Sequence, residues 1–465
     1  MSTTTQNSNP AATRIAWGSR WSFLLAAAGA STGLGNIWKF PYEAGLHGGG
    51  TFILVYLPCA LLVAFPLMMA ETLVGRYGGS DPVNSLRRIA REERLSSLWQ
   101  SIGWLGLLTG FLIFTFYSVV ASWTLYYIMN SALGSFVGVP AEIVQHSFGA
   151  LLRNTDQMLL WHTIFVLMVV VVLTRGLNKG LERAMRMLTP CFLGLIIWLC
   201  LYASRIGDFD AALAFLMHYD LSAITAELIV SALTQALFSL SLGMGAMVMF
   251  GAYMRDQRSI ASTTAWVMLF DTAVALIMAL MIFSIVFAFG MRPDAGPGLI
   301  FSTLPVAFAQ MTESSALWST SFFVLLLSAT LTSAFALLEP IIAWMTNSWR
   351  ISRRLAAWLV GALAWVGGLL SLYSFSGLKF SFYYFGIERH HGFFDLLNII
   401  AIHLFMPLGA LLLAVFVTWR VHRAETKTLL SMRLNIGYRL WRFCCKIVAP
   451  LALSAVIILV LFFPA

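Results

Sequence analysis

Long apolar runs separated by short polar connections dominate the sequence. Eleven runs reach the length of about 20 residues that a helix needs to cross the roughly 30 Å hydrocarbon core of a bilayer. They centre near residues 34, 63, 117, 166, 196, 240, 276, 331, 364, 407 and 456. The alternating segments of about 10 residues that mark a membrane β-barrel are absent. Because backbone groups in lipid must be satisfied within the segment, the pattern predicts eleven membrane-spanning helices.

Composition and charge agree with a polytopic membrane protein. Of the 465 residues, 59% are hydrophobic and 11% are charged, whereas soluble proteins average about 25% charged residues. A soluble globule needs a polar surface, so a soluble enzyme and a disordered scaffold are excluded. With the N-terminus inside, 23 of the 29 Lys and Arg residues fall in cytoplasmic segments. This asymmetry predicts a cytoplasmic N-terminus and an external C-terminus, and it explains the basic charge without nucleic acid.

The connections between the runs are too short to hold a soluble domain. The chain is therefore predicted to form one transmembrane domain over residues 1–465. The HExxH and P-loop motifs, which would indicate a metalloprotease or a nucleotide-binding site, do not occur. An enzyme is not expected.

Two of the spans carry sequences that disfavour a continuous helix. The first contains Gly29, Gly33, Gly35 and Asn36, and the sixth contains SLSLGMG at 239–245. Glycine costs up to about 1 kcal/mol per helix position relative to alanine, and unwound backbone at membrane depth persists only where it lines a cavity. Close packing through small residues is the alternative interpretation. Five crossings separate the two spans, so the matching breaks predict an inverted-repeat transporter whose substrate binds between them.

These segments resemble the signatures of the neurotransmitter:sodium symporter family. The matching motifs are GLGNIWKFPY at 33–42, GRYGG at 75–79, SWTL at 122–125, SLSLGMG at 239–245 and LTS at 331–333. The chain is most similar to the eleven-helix bacterial amino-acid symporters. The resemblance implies an all-α LeuT-type fold with an inverted repeat of five helices, at about 14–205 and 223–420, and an extra helix at about 444–464. It also implies a location in the bacterial inner, or cytoplasmic, membrane.

The resemblance further implies symport with two sodium ions. Sodium site one would comprise Ser31, Asn36, Ser239 and Asp271. Sodium site two would comprise Gly29, Thr32, Ala329, Thr332 and Ser333. An intramembrane carboxylate is costly to bury and indicates a functional site, which singles out Asp271. Because Asp271 can itself supply a negative charge, chloride is not expected to be required.

An amino-acid substrate is implied by the same comparison. Gly33 stands where monoamine carriers of the family have Asp, so a substrate carboxylate can approach the backbone amides beyond it. The implied substrate-binding residues are Ala30, Ser31, Leu34, Gly35, Tyr117, Phe238, Ser239, Ser241, Met244, Ser333 and Leu337. This lining offers no ion for a charged side chain, so an apolar L-amino acid is expected, bulky and aromatic ones included. Proton coupling through Asp271 and Glu339, and an amino-acid-sensing receptor without transport, are the alternatives.

Gates on both sides of the pocket are implied as well. The implied gate residues are Lys39 and Asn398 outside, and Arg14, Trp17, Tyr253 and Asn347 inside. Lys39 replaces an arginine of the family, and Asn398 and Asn347 replace acids, so weaker polar contacts are expected at both gates. Glu71 is expected to brace the broken helices, and Glu339 to make a structural hydrogen bond. Apart from the substrate and the bilayer, no obligatory protein partner is expected.

Overall fold

Continuous membrane-length helices make up most of the protein. The computed structural model describes residues 20–254, 259–293, 298–311, 315–384, 387–430, 432 and 435–462. Within those residues, nine helices are long and apolar enough to cross a membrane: Gly50–Gly78, Ser97–Ala132, Thr155–Thr174, Leu177–Ile206, Ile260–Ala288, Ser315–Trp349, Arg353–Tyr373, Gly392–Arg420 and Asn435–Phe462. In chain order they are spans two to five and seven to eleven.

The first and sixth spans are interrupted, as the sequence predicted. The first consists of Arg20–Ser31 followed by Gly35–Lys39, which continues into Phe40–Leu46. The sixth consists of Ala226–Ser239 and Ala246–Ala252. Together with the nine continuous helices, these two account for the predicted spans.

Shorter elements join the spans. They are the helices Pro82–Glu92, Ala141–Arg153, Phe209–Met217, Leu221–Ala223, Leu299–Gln310 and Arg423–Leu430, and the strands Phe382–Tyr384 and Ile387–Arg389. The two strands pair antiparallel, with Phe382 opposite Arg389, between the ninth and tenth spans.

Prolines inside the helices are accommodated by a local change in helical pitch. Pro41, Pro66, Pro305 and Pro407 each occupy the second position of an α-helix that follows a wider π-helical turn. Proline lacks the backbone N–H and its ring collides with the preceding turn, so the wider turn relieves an otherwise broken hydrogen-bond ladder. The helices therefore continue through these positions.

The third and eighth spans form the centre of the bundle. In each of them 78% of the most apolar segment is buried, compared with 28% in the fifth and eleventh spans, which lie at the periphery. The two central spans pack along each other and place Tyr117, Thr332 and Ser333 in the interior. These side chains consequently face the breaks of the first and sixth spans.

Candidate functional site

The break in the first span brings its backbone against the eighth span. Regular helix ends at Ser31, and Gly33 N–H then bonds only the Ser31 carbonyl, at 3.1 Å. A β-carbon at Gly33 would lie 2.1 Å from the Ser333 Oγ and 3.4 Å from the Tyr117 hydroxyl. With the present position of Ser333, only glycine allows this approach, and a side chain at position 33 would require Ser333 to shift.

The break in the sixth span is held open by left-handed residues and a buried acid. Ser241, Gly243 and Gly245 have φ of 55°, 72° and 77°, a region that non-glycine residues seldom adopt. The freed Gly243 N–H donates to Glu71 Oε1 of the second span at 2.7 Å. Unwound backbone needs such partners when water is excluded, so Glu71 makes the bracing contact expected of it.

A pocket lies between the two breaks and the central spans. It has a cavity volume of about 20 Å³ and is lined by Ala30, Ser31, Gly33, Leu34, Gly35, Ile113, Tyr117, Phe238, Ser241, Met244, Ser333 and Leu337. Every implied substrate-binding residue except Ser239 is among them, and Gly33 and Ile113 are added. None of these side chains is charged at neutral pH.

One end of the pocket is polar. The Ala30 carbonyl accepts hydrogen bonds from the hydroxyls of Ser333, at 3.1 Å, and Ser241, at 3.2 Å. The Tyr117 hydroxyl donates to the Thr330 carbonyl at 3.1 Å and lies beside the Leu34 amide. This end therefore presents both carbonyl acceptors and hydroxyl or amide donors.

Most of the proposed residues of sodium site one form a single hydrogen-bonded cluster. Asn36 Nδ2 donates to Asp271 Oδ1 and to the Asp271 carbonyl, both at 2.8 Å. The Ser239 hydroxyl bonds Asn36 Oδ1 at 3.0 Å and also Asp271 Oδ2. Asp271 is fully buried, and each of these donors is neutral. The Ser31 hydroxyl donates to the Ala28 carbonyl, at 3.0 Å.

Two residues expected in sodium site two, Gly29 and Thr332, meet where the first span contacts the eighth. A β-carbon at Gly29 would lie 3.4 Å from the Thr332 Cγ2, and the Thr332 hydroxyl donates to the Ala329 carbonyl at 2.9 Å. Thr32 is buried and its hydroxyl bonds the Ala28 carbonyl. The Ser333 hydroxyl is directed to the substrate pocket instead, through its bond to Ala30.

Thr189 of the fifth span also belongs to this region, and sequence reasoning missed it. Its Oγ1 would lie 2.6 Å from a β-carbon at Gly29, and it donates to the Leu25 carbonyl at 3.2 Å. A single threonine in an apolar run, next to a proline, gives no signal that would have identified it.

The outer side of the pocket contains a buried cation, Lys39. Lys39 is 6% exposed, and its ammonium lies 5.3 Å from the centre of the Phe238 ring. Its Nζ makes no hydrogen bond among the described residues, so the expected contact with Asn398 is not formed. Asp395, one turn earlier, accepts instead from the His391 amide at 2.9 Å.

Of the residues expected at the inner gate, the structure describes Asn347 and Tyr253. Arg14 and Trp17 lie outside the described residues. Asn347, the expected partner of Arg14, donates to Asp81 Oδ2 at 2.9 Å and to the Ser80 hydroxyl at 3.3 Å. An amide prefers the nearest carboxylate, which caps the helix Pro82–Glu92 and so is fixed in place.

A buried ion pair on this side was not anticipated. Glu339, in the eighth span, is bonded through both carboxylate oxygens to the Arg353 guanidinium, and Tyr253 donates to Oε1 at 2.7 Å. Arg353 also donates to the Leu173 carbonyl at 2.9 Å. The sequence contained one signal for this pair, namely Glu339 within an apolar run, because an acid at membrane depth requires a partner.

The breaks, the closed apolar pocket and the oxygen-rich clusters beside it define a secondary transporter of the LeuT-type fold. The sequence model of the sodium:neurotransmitter symporter family matches residues 14–137 and 142–464. The chain belongs to this family and is a sodium-dependent symporter, which confirms the resemblance read from its motifs.

Individual relatives extend along nearly the whole chain. The sequence is 32% identical over 445 residues to the uncharacterized sodium-dependent transporter YhdH of Bacillus subtilis, covering 95% of this chain and 96% of the relative. It is 26% identical to an uncharacterized sodium-dependent transporter of Haemophilus influenzae, covering 97% and 98%. The crystal structure of MhsT in complex with L-phenylalanine is similar with a TM-score of 0.88 and 35% identity, covering 95% of this chain and 99% of MhsT.

Proposed function

We propose that this symporter imports apolar L-amino acids, bulky aromatic ones included, by alternating access driven by a sodium gradient. The observation that carries the proposal is the pocket between the helix breaks, which joins one polar end to an apolar remainder. An amino acid with an apolar side chain is divided in the same way, into polar main-chain groups and an apolar side chain.

The polar end suits the main-chain groups of an amino acid. The Ala30 carbonyl, with Ser241 and Ser333 around it, would accept the α-ammonium group. The Tyr117 hydroxyl and the amides beyond Gly33 would donate to the α-carboxylate, since exposed N–H groups at a helix start favour anions. The glycine leaves space there that a side chain would fill.

The rest of the pocket suits an uncharged side chain. Leu34, Ile113, Met244 and Leu337 supply aliphatic or thioether surface, and Phe238 closes the outer side. Burying a charged side chain here would leave it without a counterion, at a cost of several kcal/mol. Methionine adapts to differently shaped ligands, and the similar transporter MhsT holds L-phenylalanine, which supports bulky substrates.

Two sodium ions are proposed as the transported cations. Asp271 is buried among neutral donors only, and an isolated buried carboxylate is costly; a sodium ion between Asp271, Asn36 and Ser239 would remove that cost. A second ion would bind the carbonyls of Gly29 and Ala329 and nearby threonine hydroxyls. Small hard cations prefer such oxygen ligands.

Chloride independence and orientation complete the proposal. The carboxylate of Asp271 would supply the negative charge beside sodium site one, so chloride would not be needed. The arginine and lysine distribution supports a cytoplasmic N-terminus and an external C-terminus in a bacterial inner membrane. One transmembrane domain of two inverted repeats would carry out the entire cycle without a protein partner.

The test is uptake by purified protein in proteoliposomes, with and without an inward sodium gradient at constant pH. Labelled phenylalanine, tryptophan, leucine and methionine should accumulate only with sodium, and excess lysine or glutamate should not compete. Uptake that follows a proton gradient and ignores sodium would refute the coupling. Sodium-dependent binding without accumulation would indicate a sensing receptor instead.

A further inference from the structure

An amphipathic helix with an arginine-rich face follows the second span. Helix Pro82–Glu92 buries Leu86 and Ile89 against the bundle, whereas Arg87, Arg88 and Arg91 are exposed. The arginines therefore lie on the face that the protein itself does not cover.

Two of these arginines line an open pocket with the start of the third span. It has a volume of about 350 Å³ and is lined by Arg87, Arg91, Leu95, Ser97 and Gln100. Arg87 donates to Gln100 Oε1 at 2.6 Å and to the Asn84 amide oxygen at 3.4 Å, both neutral groups. Neither Arg87 nor Arg91 has an ion pair within the part of the chain that the structure describes.

The two acids that follow Arg91 in the sequence bind other residues. Glu92 pairs with Arg88 at 2.8 Å. Glu93 is 4% exposed and is bonded to His422 and, at 3.3 Å, to the Tyr77 hydroxyl. Glu92 and Glu93 therefore do not neutralise the positive charge of Arg87 and Arg91.

A third arginine and an aromatic ring flank the pocket. Arg420, at the end of the tenth span, lies 5.9 Å from the Trp99 ring, directly before Gln100 in the chain. Positive charge thus converges on the pocket from two separate segments.

An apolar stripe leads from the pocket along the third span. Gln100, Trp104 and Leu108 follow at intervals of four residues and so share one helix face. Trp104 is 43% and Leu108 is 45% exposed, and Leu98 beside the pocket is 77% exposed. Exposed tryptophan is typical of the membrane–water interface, which places the arginines at the level of the lipid headgroups.

We propose that this pocket binds an anionic phospholipid. Its phosphate group would accept hydrogen bonds from Arg87 and Arg91, whose planar guanidinium groups match phosphate oxygens. Its acyl chain would lie along Trp104 and Leu108. A basic pocket beside a membrane helix is suited to an anionic headgroup, and this arrangement adds the apolar stripe that a free anion would not need.

The test is a titration of the full-length protein in detergent with short-chain phosphatidylglycerol, followed by native mass spectrometry. The variant Arg87→Gln/Arg91→Gln should bind about 25-fold more weakly, at about 5-fold per arginine. Arg87→Lys/Arg91→Lys, which keeps the charge, should retain most of the binding and shows that the site tolerates substitution. Phosphatidylcholine with the same chains should bind wild type weakly.

The matched control is Arg183→Gln/Arg186→Gln, which removes the same charge from two exposed arginines on another helix. It should bind phosphatidylglycerol as wild type does. An equal loss of phosphatidylglycerol binding in this control would show that the effect comes from general surface charge, and it would overturn the proposal. Displacement of the lipid by millimolar inorganic phosphate would also overturn the proposal, because the site would then take a free anion.

Discussion

Replacing Arg353 by glutamine should destabilise the protein by about 3–5 kcal/mol, the typical cost of leaving a buried charge without its partner. Glu339 is 1% exposed, so its carboxylate would keep only the hydrogen bond from Tyr253. Glu339→Gln should cost less, because Arg353 is 21% exposed and retains its bond to the Leu173 carbonyl. The double variant leaves no buried charge and should recover most of the loss.

The measurement is a double-mutant cycle on the free energy of unfolding in mixed detergent micelles. We expect a coupling of about 2–3 kcal/mol, the upper part of the range for groups in contact. Arg354→Gln is the matched control: it removes the neighbouring, exposed arginine and should change stability by less than about 0.5 kcal/mol. Single losses that simply add in the double variant would refute the reasoning.

Three further predictions concern the pocket, the buried acid and the cytoplasmic side. Gly33→Ala should abolish substrate binding in a radioligand assay, because its β-carbon would lie 2.1 Å from the Ser333 Oγ. Uptake should be equal in chloride and gluconate buffers, whereas Asp271→Asn, which removes the negative charge, should lose activity in gluconate. The hydrogen bond and charge of Glu93 raise the pKa of His422. The contact between His422 and Glu93 therefore stabilises the protein below about pH 6.5, and this stabilisation is lost as the pH rises through the higher pKa of His422 in the folded state. In His422→Gln, Tm should depend less on pH over this range.

Each of these predictions has its own control. Gly194→Ala adds the same atom where nothing lies within 4 Å, and it should bind substrate as wild type does. Equal uptake by Asp271→Asn in the two buffers would remove the proposed reason for chloride independence. His422 is exposed, so its effect should be small and should weaken with salt; an unchanged pH profile in His422→Gln would mean that the contact adds no stability.

The fold and the position of the pocket could be predicted because the signals are local. The sequence itself contains apolar runs of membrane length and glycines within two of them. In the structure, Gly33 and Gly243 lie at the breaks of the helices. The partners of polar side chains depend on tertiary distance and were harder to predict. Asn347, for example, donates to Asp81, a carboxylate that caps the next helix, and no pattern in the sequence indicated this contact. The pairing of Glu339 with Arg353 depends likewise on how the eighth and ninth spans meet.

The two buried acids Asp271 and Glu339 are neutralised in different ways, and the difference bears on their roles. Glu339 has a permanent cation, since Arg353 occupies both of its oxygens. Glu339 therefore suits a structural role. Asp271 is held by the neutral side chains of Asn36 and Ser239, so its charge calls for a cation that the protein does not supply. A sodium ion that binds and leaves with each transport cycle would meet that requirement, which is why we propose Asp271 as a sodium ligand.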